Sequence, residues 1–198
     1  MIITLSASQG QGKTTLLNEL KKYNYDIINN TTSREILSDM NKTLNDVYSV
    51  PAIAEDFQNK ILDRQEKYND AMLRIKRPII TERSFADIFT YAMFAYGNIN
   101  DYSTSIDSYY HKCKRLQNEQ YACVVYLSGR QYVPDNDGVR STNQYFSKLV
   151  DKTINYYIDD FYATCPEKIY HIDTPNLDER VEKMIEIINE VKNNKNGK

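Results

Sequence analysis

At 198 residues the chain has room for one domain with a full core, and 41% hydrophobic with 26% charged residues is an ordinary globular balance. A formal net charge of −2 gives no general attraction to nucleic acid or anionic membrane, and leaves only a local basic cleft as a route to either. No apolar run approaches the roughly 18 residues that span a bilayer, and the opening MIITLSASQG lacks the basic and apolar regions of a secretory signal, so neither insertion nor export is expected.

In chain order, the first strand is expected over residues 2–7. It runs into Ala7-Ser8-Gln9-Gly10-Gln11-Gly12-Lys13-Thr14, which has P-loop spacing with alanine in place of the first glycine. Glycines let successive backbone N–H groups turn toward phosphate oxygens, and the helix that follows points its positive end at the same anion. Lys13 is placed to reach the β- and γ-phosphates, the Thr14 hydroxyl to ligate Mg²⁺, and Thr15 to bond the α-phosphate. Together Ser8, Gln9, Gly10, Gln11, Gly12, Lys13, Thr14 and Thr15 form a nucleoside triphosphate site. Alanine at position 7 is compatible with this provided its φ stays negative.

A second strand over 25–30 leads into NTTSREI, where Thr32 and Glu35 have capping-box spacing. Arg34 then stands near the sheet edge, suited to an acceptor phosphate or sugar, or alternatively exposed on its helix. Ile53, Phe57, Ile61, Tyr68, Met72 and Ile75 recur at helical spacing, and Gln58 within that helix either reads a base edge or faces solvent. A third strand over 78–82 ends in Glu82-Arg83-Ser84 at the carboxyl edge, where open α/β sheets gather ligands. A carboxylate there can hold a metal-bound water or take the proton of an attacking hydroxyl, and the guanidinium can clamp an anion; the competing reading is a salt bridge at a strand end. Ser84 and Asp87 form a second capping-box pair, ahead of a stripe of Phe85, Ile88, Phe89, Ala92 and Met93.

The fourth strand, 121–127, opens onto SGRQYVPDNDGVRSTNQYF. This loop carries Arg130, Asp135, Asp137, Gly138 and Arg140, either as a segment that closes on the triphosphate or as a solvated loop. Ser141 and Gln144 are spaced as a cap for a helix bearing Phe146, Leu149, Val150, Ile154, Tyr157 and Phe161. The fifth strand, 168–173, is followed by Thr174-Pro175, read as an N-cap with proline at the first helical position, and by a stripe of Leu177, Val181, Met184, Ile185 and Ile188. That connection either frames an adenine or is an ordinary turn. Strands alternating with helices and no linker predict one α/β domain with a mainly parallel sheet. Cys113, Cys123 and Cys165 are expected as buried or half-buried thiols; with only His111 and His171 beside them a structural metal is not expected. Most of the 17 tyrosines are expected on helix surfaces.

Other P-loop classes fit less well. The Asn-Lys pairs at 41 and 59 meet Leu44 and Leu62 where a guanine-reading aspartate belongs, and Leu127-Ser128-Gly129-Arg130-Gln131 leaves a strand where an ABC signature opens a helix. The motifs ASQGQGKTT, TTSRE, ITERSFADIFTYA and DNDGVRSTNQYFSKLVD instead make the chain resemble the small P-loop kinases. More narrowly it resembles the AAA-type ATP-binding family that includes the ribosylnicotinamide kinase domain and phage nucleotide kinases. ERS is similar to deoxynucleoside kinases, TTSRE to thymidylate kinases. The resemblance implies an α/β P-loop NTPase fold with a five-stranded parallel sheet, a closing lid, and one kinase domain over residues 1–192 with 193–198 as a frayed tail. It implies ATP and Mg²⁺ as cofactors, bound by Lys13, Thr14 and the Gly10 and Gly12 backbone. Glu82 would serve as metal-shell acid or general base, Arg83 and Arg34 would bind the acceptor together with Gln58 and Asp137, and Arg130 and Arg140 would be lid arginines. The expected reaction is γ-phosphoryl transfer to a nucleoside monophosphate, a deoxynucleotide, because two arginines would otherwise meet an uncharged acceptor. The alternatives are a nucleoside acceptor, hydroxymethylated bases in DNA, and a non-catalytic ATP switch. The expected partner is thus a small nucleoside or nucleotide, with DNA ranked below it, no membrane, a homodimer left open, and a cytoplasmic setting (the host's, for a phage protein).

Overall fold

The computed structural model describes residues 1–28, 33–96, 103–129 and 143–196. Among them five strands form one all-parallel sheet: β1 (Ile2–Ser6), β2 (Asp26–Ile28), β3 (Ile79–Glu82), β4 (Tyr121–Leu127) and β5 (Ile169–Ile172), in the order β2-β3-β1-β4-β5. The helices are α1 (Lys13–Lys21), α2 (Ser33–Asp39), α3 (Leu44–Ser49), α4 (Pro51–Leu73), α5 (Phe85–Tyr96), α6 (Ser103–Gln120), α7 (Gln144–Phe161) and α8 (Leu177–Asn196).

A parallel sheet needs both faces covered, so its strands lack an exposed polar side. Alternation assigns the faces. Ile3 and Leu5 of β1, Ile80 of β3, and Cys123, Val125 and Leu127 of β4 pack with α1 and α8 through Leu16, Leu20, Met184 and Ile188. Ile2, Ile79, Tyr121, Val124 and Tyr126 point the other way, into α4, α5, α6 and α7. A smaller cluster of Ile36, Leu37, Val47, Phe57 and Ala95 seats α2 and α3 on α4 and α5. Because β1 is flanked by β3 on one side and β4 on the other, its carboxyl end lies at the point where the strand order reverses, the usual crevice of an open α/β sheet.

Several local expectations are corrected. The N-cap of α7 is Asn143, whose side chain accepts from the Tyr145 and Phe146 amides, so the helix begins at Gln144. Asn176 Oδ1 accepts from the amides of Asp178 (2.8 Å) and Glu179 (3.3 Å), which moves the start of α8 past Thr174-Pro175 to Leu177. Thr32 and Ser141 lie outside the described residues. The short α3 escaped the periodicity, although Thr43 and Asp46 cap it with a full capping box. Tyr68, Leu149 and Ile75 are exposed rather than core. The tyrosines divide: Tyr109, Tyr121, Tyr126 and Tyr162 are buried, whereas Tyr23, Tyr48, Tyr145 and Tyr156 are exposed. Cys113 and Cys123 are buried, Cys165 is half-buried, and all three are free thiols. The helix α8 continues to Asn196. Among the described residues no helix is long and apolar enough to cross a membrane.

Candidate active site

The chain leaves β1 through two left-handed glycines, Gly10 (φ +83°) and Gly12 (φ +86°), the second being the N-cap of α1. Side chains rarely adopt such angles, which accounts for glycine at these two positions of the loop. Ala7 is not among the positive-φ residues, so its replacement of glycine leaves the turn unstrained. Lys13 folds back over the loop, and its Nζ donates to the carbonyls of Ala7 (2.5 Å) and Ser8 (3.1 Å). Thr14 and Thr15 are exposed on the first turn of α1.

Sheet register brings the next chemistry alongside. Leu5 pairs with Glu82, and the Arg83 amide donates to the Leu5 carbonyl at 2.9 Å. Lys13 is therefore surrounded by charge. Burial pulls its pKa down, Asp87, Glu82 and Asp151 pull it up, and Arg83 adds to the lowering; the net direction is down. Glu82 is half-buried. Arg83 holds φ +70°, a left-handed angle that strains a side chain by about 1–3 kcal/mol and that clusters at functional sites. Its Nη1 donates to Ser33 Oγ at 3.3 Å, so the N-terminus of α2 and the end of β3 meet. Arg34 is exposed beside that contact. A pocket opens here, walled by Ile36, Ile61, Gln65, Tyr68 and Ile88 with Arg83 at its edge. Arg64, also in its lining, is paired with Asp39 at 2.6 Å. Arg83 has no ion-pair partner among the described residues; its side-chain partner is the Ser33 hydroxyl.

Gln58 is buried in α4, which removes the solvent-facing alternative, and among the described residues its Oε1 has no hydrogen-bond partner. Arg130, Asp135, Asp137, Gly138 and Arg140 lie outside the described residues.

Four contributors were not picked out as site residues from sequence. Asp87, 1% exposed, accepts from Ser6 Oγ (2.5 Å), Ser84 Oγ (2.6 Å) and the Ser84 amide (2.9 Å), so the expected capping residue is also a firmly held carboxylate that acts on Lys13. Asp151 of α7 accepts from Ser8 Oγ at 2.7 Å. Arg180 of α8 is fully buried and donates to Thr174 O (2.6 Å), Ser128 O (2.5 Å) and Gln11 O, joining the turns after β5, β4 and β1. Tyr121 donates to the Arg83 carbonyl at 3.1 Å. Their partners are distant in sequence (the Ser6–Asp87 pair is separated by 81 residues), so only the capping spacing of Ser84 and Asp87 gave a readable signal.

Mg²⁺ takes oxygen donors, commonly one or two carboxylates plus substrate phosphates. The Thr14 hydroxyl and the Glu82 carboxylate supply that donor set beside the loop, and these residues fit the ion. Among the described residues no three His, Cys, Asp or Glu side chains are grouped to hold a metal by themselves.

A family model described as an AAA domain matches residues 3–180. No curated protein matches the chain by sequence. Among solved structures, deoxyadenosine kinase from M. mycoides with bound dATP is 16% identical with a TM-score of 0.65, over 96% of this chain and 100% of that one. Thymidylate kinase from Candida albicans is 14% identical with a TM-score of 0.67, over 97% and 92%. The NadR protein in complex with NR is 12% identical with a TM-score of 0.57, over 88% of this chain and 44% of that one. At such identities the likeness establishes the fold, that of the P-loop nucleoside and thymidylate kinases.

Proposed function

Since the chain belongs to the AAA domain family, whose P-loop it carries opposite a carboxylate and an arginine, we propose that it transfers the γ-phosphoryl group of ATP to a nucleoside monophosphate, a deoxynucleotide by preference. The observation that carries the reading is the pairing of Leu5 with Glu82, which sets Lys13, Glu82 and Arg83 at one sheet edge. On this reading residues 1–192 are one kinase domain. The loop amides and Lys13 cradle the β- and γ-phosphates, with Lys13 exchanging its carbonyl partners for phosphate oxygens. Thr14 and Glu82 would hold Mg²⁺, which would supply charge neutralisation for those phosphates. Glu82 also lies where it can accept the proton of an attacking acceptor oxygen. Arg83 binds the acceptor phosphate: a half-buried cation at a pocket edge, with no carboxylate partner among the described residues, favours an anionic ligand. Arg34 extends that grip from α2, and the unsatisfied Gln58 Oε1 supports a hydrogen bond to a base. Arg130 and Arg140 are assigned to transition-state charge and Asp137 to the acceptor. Positioning and charge neutralisation supply most of the rate, in a cytoplasmic setting.

A nucleoside acceptor is the second reading, favoured by the carbon-rich wall of Ile36, Ile61, Tyr68 and Ile88. The deciding experiment offers γ-labelled ATP with nucleosides, nucleotides and hydroxymethylated DNA and identifies what acquires the label. Lys13→Ala is expected to abolish transfer, and Glu82→Gln to slow it about 100-fold or more while ATP still binds. Wild-type turnover in both variants refutes the assignment, and ATP binding with no labelled product indicates a switch.

A further inference from the structure

Arg83 is held at three points. Its amide donates to Leu5 O (2.9 Å), its Nη1 to Ser33 Oγ (3.3 Å), and its carbonyl accepts the Tyr121 hydroxyl (3.1 Å). The first is ordinary sheet continuation and the second lies out in the crevice. The third is buried on its donor side: Tyr121 is 2% exposed, with its ring 5.3 Å from that of Phe85.

A carbonyl can only accept, so the Tyr121 hydroxyl is the donor, and its neighbours leave that proton free for the bond. Gln65 Nε2 donates to Tyr121 Oη (3.1 Å) and to Asn69 Oδ1 (3.2 Å). Asn69 Nδ2 donates to Gln120 Oε1 (2.9 Å), and Gln120 Nε2 to Asp70 Oδ1 (2.9 Å). With its oxygen already accepting from an amide, Tyr121 has one proton to give, and the Arg83 carbonyl receives it. Burial pushes the phenol pKa well up, so the donor persists across working pH. A packed tyrosine with a fixed proton thus grips the carbonyl of a residue at φ +70°, an angle from which an arginine would otherwise relax.

We propose that Tyr121 is a positioning residue: its hydroxyl, oriented by Gln65, keeps Arg83 left-handed and so aims the guanidinium at the acceptor pocket. The inference rests on the acceptor role proposed for Arg83. Tyr121→Phe keeps the ring and removes only the clamp. It is expected to raise the acceptor KM about tenfold, the scale of one lost hydrogen bond, with ATP affinity unchanged. In an Arg83→Gly background, where positive φ is unstrained, the same substitution is expected to leave the acceptor KM unchanged. A crystal structure of Tyr121→Phe is expected to show Arg83 out of the left-handed region and its Nη1 away from Ser33. If that variant does not fold alone, its structure is determined with ATP bound, which stabilises the native state without touching the clamp. Arg83 unmoved in the variant structure, equal losses in both backgrounds, or ATP and acceptor weakened alike would each overturn the proposal. Absence of phosphoryl transfer by the wild-type protein would instead overturn the kinase reading, and the crystallographic result stands apart from it.

Discussion

On the proposed function Lys13 is the residue on which donor binding turns, and its titration gives a two-sided test. Burial is the larger influence and lowers its pKa from the ordinary 10.5 despite Asp87, Glu82 and Asp151. The lysine must be charged to hold phosphate, so ATP affinity should be flat at lower pH and fall as pH rises through the depressed value, by up to about tenfold per unit. The free protein should respond with the opposite sign. In that window the unfolded chain binds more protons than the native one, so stability rises with pH. Calorimetry in buffers of different ionisation enthalpy should detect proton uptake on ATP binding there. Lys13→Arg, which does not titrate, should give a flat profile; affinity that tracks pH equally in both proteins would place the titrating group elsewhere. Lys13, Glu82 and Arg83 were legible because the P-loop is contiguous and ERS ends an apolar strand. Asp151, Arg180 and Tyr121 were not, because each reaches the site through a fold contact far along the chain: Ser8 with Asp151 across 143 residues, Gln11 with Arg180 across 169.

Among elements, the strands were the most readable, since short apolar runs bounded by breakers have few alternatives in an α/β chain, and 121–127 agrees to the residue. Helix starts were less so. Thr174, Pro175 and Asn176 all carry cap chemistry, and only the folded turn decides that Asn176 accepts the α8 amides while the Thr174 hydroxyl donates to Glu179 at 2.5 Å. That turn is pressed against the one after β4. Gly129 sits at φ +84°, and a Cβ there would lie 2.0 Å from the Asp173 carbonyl oxygen. Neither the angle nor the space admits a side chain, and the obstacle is backbone. Gly129→Ala should therefore destabilise the protein by about 2–4 kcal/mol, read from urea unfolding. It should also weaken ATP, because displaced Asp173 and Thr174 carry the carbonyl that Arg180 grips. A variant as stable as the wild type would mean that the two turns can separate freely.

The molecule as a whole has two anchored sides that meet at the end of β1. On the α1–α8 side, Arg180 joins the phosphate loop to the turns after β4 and β5. On the α4–α5 side, the chain from Asp70 through Gln120, Asn69, Gln65 and Tyr121 ends on Arg83. The two sets share no residue. Distant groups without shared partners act nearly additively, so damage on one side should remain there. Arg180→Met fills most of the same space but leaves three part-buried carbonyls without that donor, each a loss of about 1 kcal/mol before relaxation. It should lower stability by about 3 kcal/mol or more and weaken ATP about tenfold or more. Measured below its melting transition, it should still bind the acceptor within about twofold of wild type, since Arg83 and its clamp are untouched. Arg180→Lys, with one cationic donor restored, should recover part of the ATP affinity. An acceptor affinity that falls in step with ATP would show instead that the sheet end moves as one body, with both substrates reading a single conformational equilibrium.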